Sequence, residues 1–140
     1  KVPALDAAGK LDTSVMPTGI GADTKALVAS ENLAAGDLVN VWDDSGTAKA
    51  RKADATSPSK RAHGFVLSSV SATATATVYF EGTITGLSSL TRGATYFLGT
   101  TAGAATATAT TTAGHIVQQV GVAISATELS FEPQQPVELA

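Results

Sequence analysis

The chain has 140 residues, of which 44% are apolar and 15% are charged, with no cysteine and a net charge of −3. This length predicts one domain, and the lack of cysteine excludes a disulfide scaffold, a thiolate metal site and a cysteine nucleophile. The weakly acidic balance argues against nucleic-acid binding, and no apolar run is long enough to cross a membrane.

Residues 1–25 differ in character from the rest of the chain. Proline and glycine interrupt them, and neither helical nor strand periodicity persists, yet they are too apolar for a solvated linker. We expect an extended N-terminal arm that lies on another surface, the alternative being a frayed terminus. The apolar side chains that would make these contacts are Val2, Leu5, Leu11, Val15, Met16 and Ile20.

Residues 26–140 predict a single all-β domain, because short apolar or alternating segments are separated by turns every 8–12 residues. Such spacing is typical of a sandwich or barrel, and we predict a β-sandwich, jelly-roll-like in form, with little helix. The predicted strands are residues 25–30, 38–42, 47–53, 65–70, 75–80, 83–85, 94–98, 106–112, 115–123 and 128–132.

The core of this domain must be thin. The chain has 26 alanines and 20 threonines but only seven aromatic residues. Alanine buries little apolar area, so scattered Val, Leu, Ile and Phe side chains must supply most of the burial. A core of this kind often gains stability from a partner.

No catalytic, metal-binding or cofactor-binding residues are predicted. His63 and His115, the two histidines, lie about fifty residues apart without a local partner ligand. Asp43 and Asp44 resemble the start of a calcium loop, but the later acidic ligand is missing, so a hairpin turn is the better interpretation. Trp42 is the single tryptophan, and we interpret it as a core or interface anchor rather than a sugar-stacking platform.

Several segments resemble accessory virion proteins of tailed bacteriophages. Residues 2–17 read Val-Pro-Ala-Leu-Asp-Ala-Ala-Gly-Lys-Leu-Asp-Thr-Ser-Val-Met-Pro, which is similar to a "PALDxxGKLD…MP" leader in such proteins. The other segments that carry the resemblance are residues 35–41, 64–66, 81–84, 87–99 and 114–123, so that most of the chain is covered.

The resemblance, together with the chain's size and the lack of a fibre repeat, implies a capsid decoration (cement) protein. Such a protein binds the major capsid protein on the capsid exterior of the virion and assembles as a homodimer or homotrimer, after a stage in the host cytoplasm. No nucleic acid, membrane or cofactor is expected as a partner. Two alternatives are a receptor- or glycan-binding module of a phage fibre, and a virion-attached hydrolase, for which the sequence offers no catalytic constellation.

Overall fold

The computed structural model describes residue 5, residues 7–10 and residues 22–140. Within these residues the prediction of an all-β fold is confirmed, since twelve strands are joined by loops and one three-residue 3-10 helix, Pro58–Lys60. That helix is far too short to cross a membrane, and no other helix in the described residues is long enough to do so. The strands are β1 (Thr24–Ala29), β2 (Leu38–Asp44), β3 (Thr47–Lys52), β4 (Gly64–Phe65), β5 (Thr75–Tyr79), β6 (Gly82–Ile84), β7 (Thr95–Leu98), β8 (Ala105–Thr106), β9 (Ile116–Val117), β10 (Gln119–Ala123), β11 (Leu129–Phe131) and β12 (Val137–Glu138).

The first five strands form a closed barrel in the order β1-β3-β2-β4-β5. β1 closes it by pairing antiparallel with β5 and parallel with β3. The hairpin between β2 and β3 turns at Ser45 and Gly46, both with positive φ, as the predicted hairpin turn requires. The barrel interior is small and aliphatic, which suits the alanine-rich composition. It is filled by Leu27, Ala29, Leu33, Val39, Ala50, Val66, Ala76 and Val78.

A second sheet of five strands has the order β6-β11-β10-β7-β8, and β9 pairs separately with β12. The second sheet packs against the outside of the barrel. Leu38 of β2 and Phe65 of β4 point out of the barrel into a shared core with Ile84, Leu98 and Leu129. The barrel and the second sheet therefore share one continuous apolar core.

The main differences from the predicted strands have local causes. Residues 66–70 form only an isolated bridge from Val70 to Leu33, because Val66 enters the barrel and the chain then leaves the ladder. Of residues 106–112 only Thr106 belongs to a strand, since threonine favours the pleated surface but supplies little to bury. The predicted strand 115–123 is divided in two, and β12 adds a strand beyond residues 128–132, the last predicted strand.

Other boundaries lie close to those predicted. β1 begins at Thr24, one residue before the predicted strand, so Thr24 and Lys25, which were assigned to the arm of residues 1–25, belong to the barrel. The jelly-roll connectivity stays a prediction.

Gly121 sits in a β-bulge of β10, where the register against β7 shifts between Gln119 and Gly121. A Cβ at this position would lie 1.9 Å from the carbonyl oxygen of Ser130 on β11. The absence of a side chain at residue 121 therefore allows β10 and β11 to pair.

Replacing this glycine should be much more costly than replacing one in open space. We expect Gly121→Ala to lower the free energy of unfolding by about 3 kcal/mol, since backbone must move to admit the methyl group. Gly114→Ala is the control. No atom lies within 4 Å of its Cβ position, so only the left-handed backbone (φ +81) is penalised, by about 1–2 kcal/mol. Urea unfolding measures both, and equal losses would contradict the tight contact at Gly121.

Candidate functional site

Trp42 lies on the outer surface of the barrel because β2 alternates its side chains. Val39 faces the barrel core and Val41 packs against it, whereas Asn40 and Trp42 point outward. Trp42 is half-buried, and its indole Nε1 donates a hydrogen bond to Ser30 Oγ at 2.9 Å. The indole is therefore held in a fixed orientation with part of its surface exposed to solvent.

Arg51 lies over the Trp42 ring, with its guanidinium carbon 4.9 Å from the ring centroid. β3 places Arg51 and Lys49 on the outer side and Ala50 inside the barrel, in keeping with the alternation of small and charged residues in 47–53. Arg51 Nε donates to Asn40 Oδ1 at 2.9 Å, and Nη2 donates to the Ser59 carbonyl at 2.9 Å. We call Asn40, Trp42, Lys49 and Arg51 the Trp42 face.

The Trp42 face carries positive charge that is only partly neutralised. Lys49 is paired with Asp44 at 2.6 Å, but Arg51 has no carboxylate partner among residues 22–140. Its guanidinium is satisfied instead by neutral oxygens and by the indole ring, a contact worth about 0.5–2 kcal/mol. Tryptophan and arginine are the residue types most enriched at interface hot spots.

Asn40 is the buried polar member of this face, and all of its polar atoms have partners. Besides accepting from Arg51, it donates from Nδ2 to the Arg61 carbonyl at 2.8 Å. Asn40 therefore ties β3 to the segment that precedes β4. Asn40 was not among the predicted site residues, although an asparagine within Leu-Val-Asn-Val-Trp is a visible polar interruption of an apolar strand.

His63 adjoins Asn40 and completes this network. Its Nδ1 accepts a hydrogen bond from the Val41 backbone N–H at 3.0 Å, and its Nε2 lies 3.0 Å from Arg61 Nε. Burial, and next the positive charge of Arg61, lower the pKa of His63 below its ordinary value of 6.5. The folded protein therefore favours the neutral imidazole.

The residues predicted to contact a partner have different outcomes. Leu5 is 60% exposed, so its side chain is available to a partner. Val2, Leu11, Val15, Met16 and Ile20 lie outside the described residues. Among the described residues, Trp42 is the predicted contact residue for which the structure shows side-chain contacts, namely those with Ser30 and Arg51.

The described residues bring together no group of three or more histidine, aspartate or glutamate side chains that could hold a metal ion. His115 is separate from His63 and contacts Thr110 Oγ1 through Nδ1 at 3.0 Å. Asp43 accepts from the Gly46 N–H within the hairpin turn, at 3.3 Å. These groups have structural partners in the described part of the chain.

Comparison of the chain with known proteins found no match, either among family models or among curated proteins.

The low pKa of His63 makes the stability of the fold depend on pH. Above pH 6.5 both states carry neutral His63; below it the unfolded chain binds a proton before the folded protein does, which favours unfolding. We expect the free energy of unfolding to fall as pH is lowered from about 7.5 to about 5.5, as measured by urea unfolding. His63→Asn removes the titrating ring and should flatten this dependence. An unchanged slope in the variant would contradict the assignment.

Proposed function

We propose that this protein is a structural virion protein of a tailed bacteriophage, a capsid decoration (cement) protein and not an enzyme. It would bind the outside of the shell across junctions between major capsid protein subunits. Since it would bind the assembled shell and not the separated subunits, each bound copy stabilises the shell by mass action. It would act as a homodimer or homotrimer on the virion exterior, after a stage in the host cytoplasm.

The Trp42 face is the structural observation that most supports this proposal. It combines a fixed, partly exposed indole with an arginine that no carboxylate of residues 22–140 neutralises. A partner surface that covers Trp42 would gain apolar burial, and an acidic group on that partner would pair with Arg51. Both contacts suit attachment to a protein.

The N-terminal arm is the second proposed contact. Residues 1–21 contain Leu5 and five other large apolar side chains without the periodicity of a helix or strand. Ordering such a segment costs about 1–2 kcal/mol per residue for the backbone, so burial against a partner must offset that cost. We propose that the arm supplies part of the attachment to the shell.

Within this proposal the fold is a variant of a β-sandwich. The second sheet and the barrel wall that carries Leu38 and Phe65 are its two layers. A jelly-roll-like connectivity, which the resemblance implies, is part of the same proposal.

The alternative function, glycan binding by a fibre module, requires a free aromatic face for sugar stacking. The Arg51 guanidinium lies over one face of Trp42, which leaves less of the ring for a sugar. This arrangement favours a protein partner over a glycan.

Rebinding to shells tests the proposal. Shells that lack the protein are mixed with the full chain, with Trp42→Ala or with the control Ile124→Ala, which truncates an exposed apolar side chain away from the Trp42 face. We expect Trp42→Ala to weaken binding roughly thirtyfold, since loss of a buried aromatic anchor costs about 2 kcal/mol. Ile124→Ala should bind like the full chain. Occupancy is measured by quantitative gel analysis.

The same assay includes a chain without residues 1–21, a deletion that leaves β1 intact from Thr24. We expect this chain to fold but to decorate shells incompletely. A copy number in proportion to the capsid protein supports a cement role, whereas a few copies per particle indicate a fibre. If no variant of the chain binds shells, including the unmodified protein, the proposal is wrong.

A further inference from the structure

His63 lies where the ladder between β2 and β4 ends. The two strands pair only at Leu38 and Val39, and the His63 backbone N–H donates to the Val39 carbonyl at 2.8 Å. The next N–H on that edge of β2 belongs to Val41, and it donates to His63 Nδ1 at 3.0 Å. The imidazole therefore takes the place of a further ladder acceptor and holds the part of β2 that carries Trp42.

The other ring nitrogen leads to the Trp42 face by a second route. Arg61 Nε donates to His63 Nε2 at 3.0 Å. The Arg61 carbonyl accepts from Asn40 Nδ2 at 2.8 Å, and Asn40 Oδ1 accepts from Arg51 Nε at 2.9 Å. Arg51 in turn lies over the Trp42 ring. The imidazole is thus linked both to the strand that carries the indole and to the guanidinium that covers it.

The groups that face the imidazole are neutral or positively charged. β2 presents the Val41 N–H and Asn40 Nδ2, which lies 3.4 Å from Nδ1, and β3 places Arg51 behind Asn40. The ring's own segment supplies Arg61. The remaining side chains of the adjoining cleft come from β10 and from the segment after β11, and they are Gln118, Pro133, Gln134, Gln135 and Pro136. Among residues 22–140 no carboxylate lies within ion-pairing distance of the ring.

Protonation of His63 removes its ability to accept either hydrogen bond. A neutral imidazole has one unprotonated nitrogen, so it can accept from Val41 or from Arg61, whereas an imidazolium has only N–H donors. The positive charge of the imidazolium would also lie 3.0 Å from Arg61 Nε, with no carboxylate of the described residues to offset it. An added proton therefore opposes the arrangement that the neutral ring stabilises.

The side chains have room to respond while the backbone stays in place. A cleft of about 330 Å³ opens between Arg61 and His63 on one side and the segment after β11 on the other. Arg61 is exposed and His63 is half-buried, so both side chains can turn toward solvent. Gln118, only 2% exposed, accepts from the Ala62 N–H at 2.8 Å and donates to the Gln134 carbonyl at 3.1 Å, which fixes the two walls of the cleft.

We propose that His63 is a pH-sensitive switch for the Trp42 face: the neutral ring holds Val41 and Arg61 in place, and the protonated ring releases them. At neutral pH the indole and the guanidinium over it are held in one arrangement. In acid the face loosens while the barrel and the second sheet stay folded. A partner that covers Trp42 would be bound less tightly in acid whatever its nature, so the switch does not depend on the function proposed above.

An NMR titration of the full-length ¹⁵N-labelled protein from about pH 7.5 to about pH 5 tests the switch. The ring nitrogens of His63, the Val41 amide and the Trp42 indole N–H are followed together. We expect one common midpoint below pH 6.5, because the ordered arrangement lowers the pKa of His63. Exchange of the Val41 amide with solvent, corrected for its intrinsic dependence on pH, should become about tenfold faster on protonation, since the amide loses its acceptor.

His63→Asn and His115→Asn form a matched pair, because the chain has two histidines. His63→Asn keeps a side-chain acceptor near the Nδ1 position but cannot titrate, so the responses of Val41 and Trp42 should be lost. His115→Asn removes a ring that contacts Thr110 and not the Trp42 face, so the responses should be unchanged.

Arg61→Gln removes the neighbouring positive charge and should move the midpoints of the His63 and Trp42 signals to higher pH together. Arg92→Gln, which removes an exposed arginine in the turn before β7, should move neither. This comparison keeps the test decisive if His63→Asn fails to fold. Three results would each overturn the proposal: a Trp42 signal that stays constant while His63 titrates, a response retained in His63→Asn, or loss of all folded amide signals over the same pH range.

Discussion

Phe65 belongs to the barrel through its backbone and to the second sheet through its side chain. Its ring stacks on Tyr79 of β5 with centroids 5.5 Å apart and meets Phe131 of β11 edge-on at 5.2 Å. In a chain with seven aromatic residues, three are used at this junction. Gly64 makes the arrangement possible, because a Cβ there would lie 2.5 Å from the Tyr79 carbonyl oxygen and separate β4 from β5. Such aromatic pairs add about 0.5–1.5 kcal/mol each beyond the area they bury.

The Trp42 face and the cleft beside Arg61 both depend on this junction. Along the outer side of β2, Leu38 is buried against the second sheet, Asn40 is buried but polar, and Trp42 is half-exposed. The outer side of this one strand thus changes from buried core to exposed surface over five residues. The cleft lined by Arg61, His63, Gln134 and Gln135 likewise exists only while the barrel and the second sheet are docked, since the barrel supplies one wall and the segment after β11 supplies the other. Gln118 links those walls and would lose its partners if they separated.

The sequence predicted what depends on local pattern and missed what depends on tertiary pairing. The strand over residues 47–53 and the hairpin turn at Asp43 and Asp44 formed as predicted, and Lys49 and Arg51 lie outside because charged residues alternate with alanine in that strand. The closure of the barrel through the parallel pairing of β1 with β3 has no local signal, because it joins segments about twenty residues apart. The roles of Asn40 and Gln118 were also missed, since a buried amide is recognisable only when its partners, 16 to 56 residues away for Gln118, are placed around it.

These surfaces require the barrel and the second sheet to stay docked, so we expect the two to unfold as one cooperative unit. Denaturant unfolding followed simultaneously by two probes tests it directly. Fluorescence of Trp42 reports on the barrel, and the methyl NMR signals of Ile84 and Leu129 report on the second sheet. Coincident transitions are the predicted result, as expected for a single two-state domain. Loss of the methyl signals at a lower denaturant concentration than the fluorescence change would contradict it.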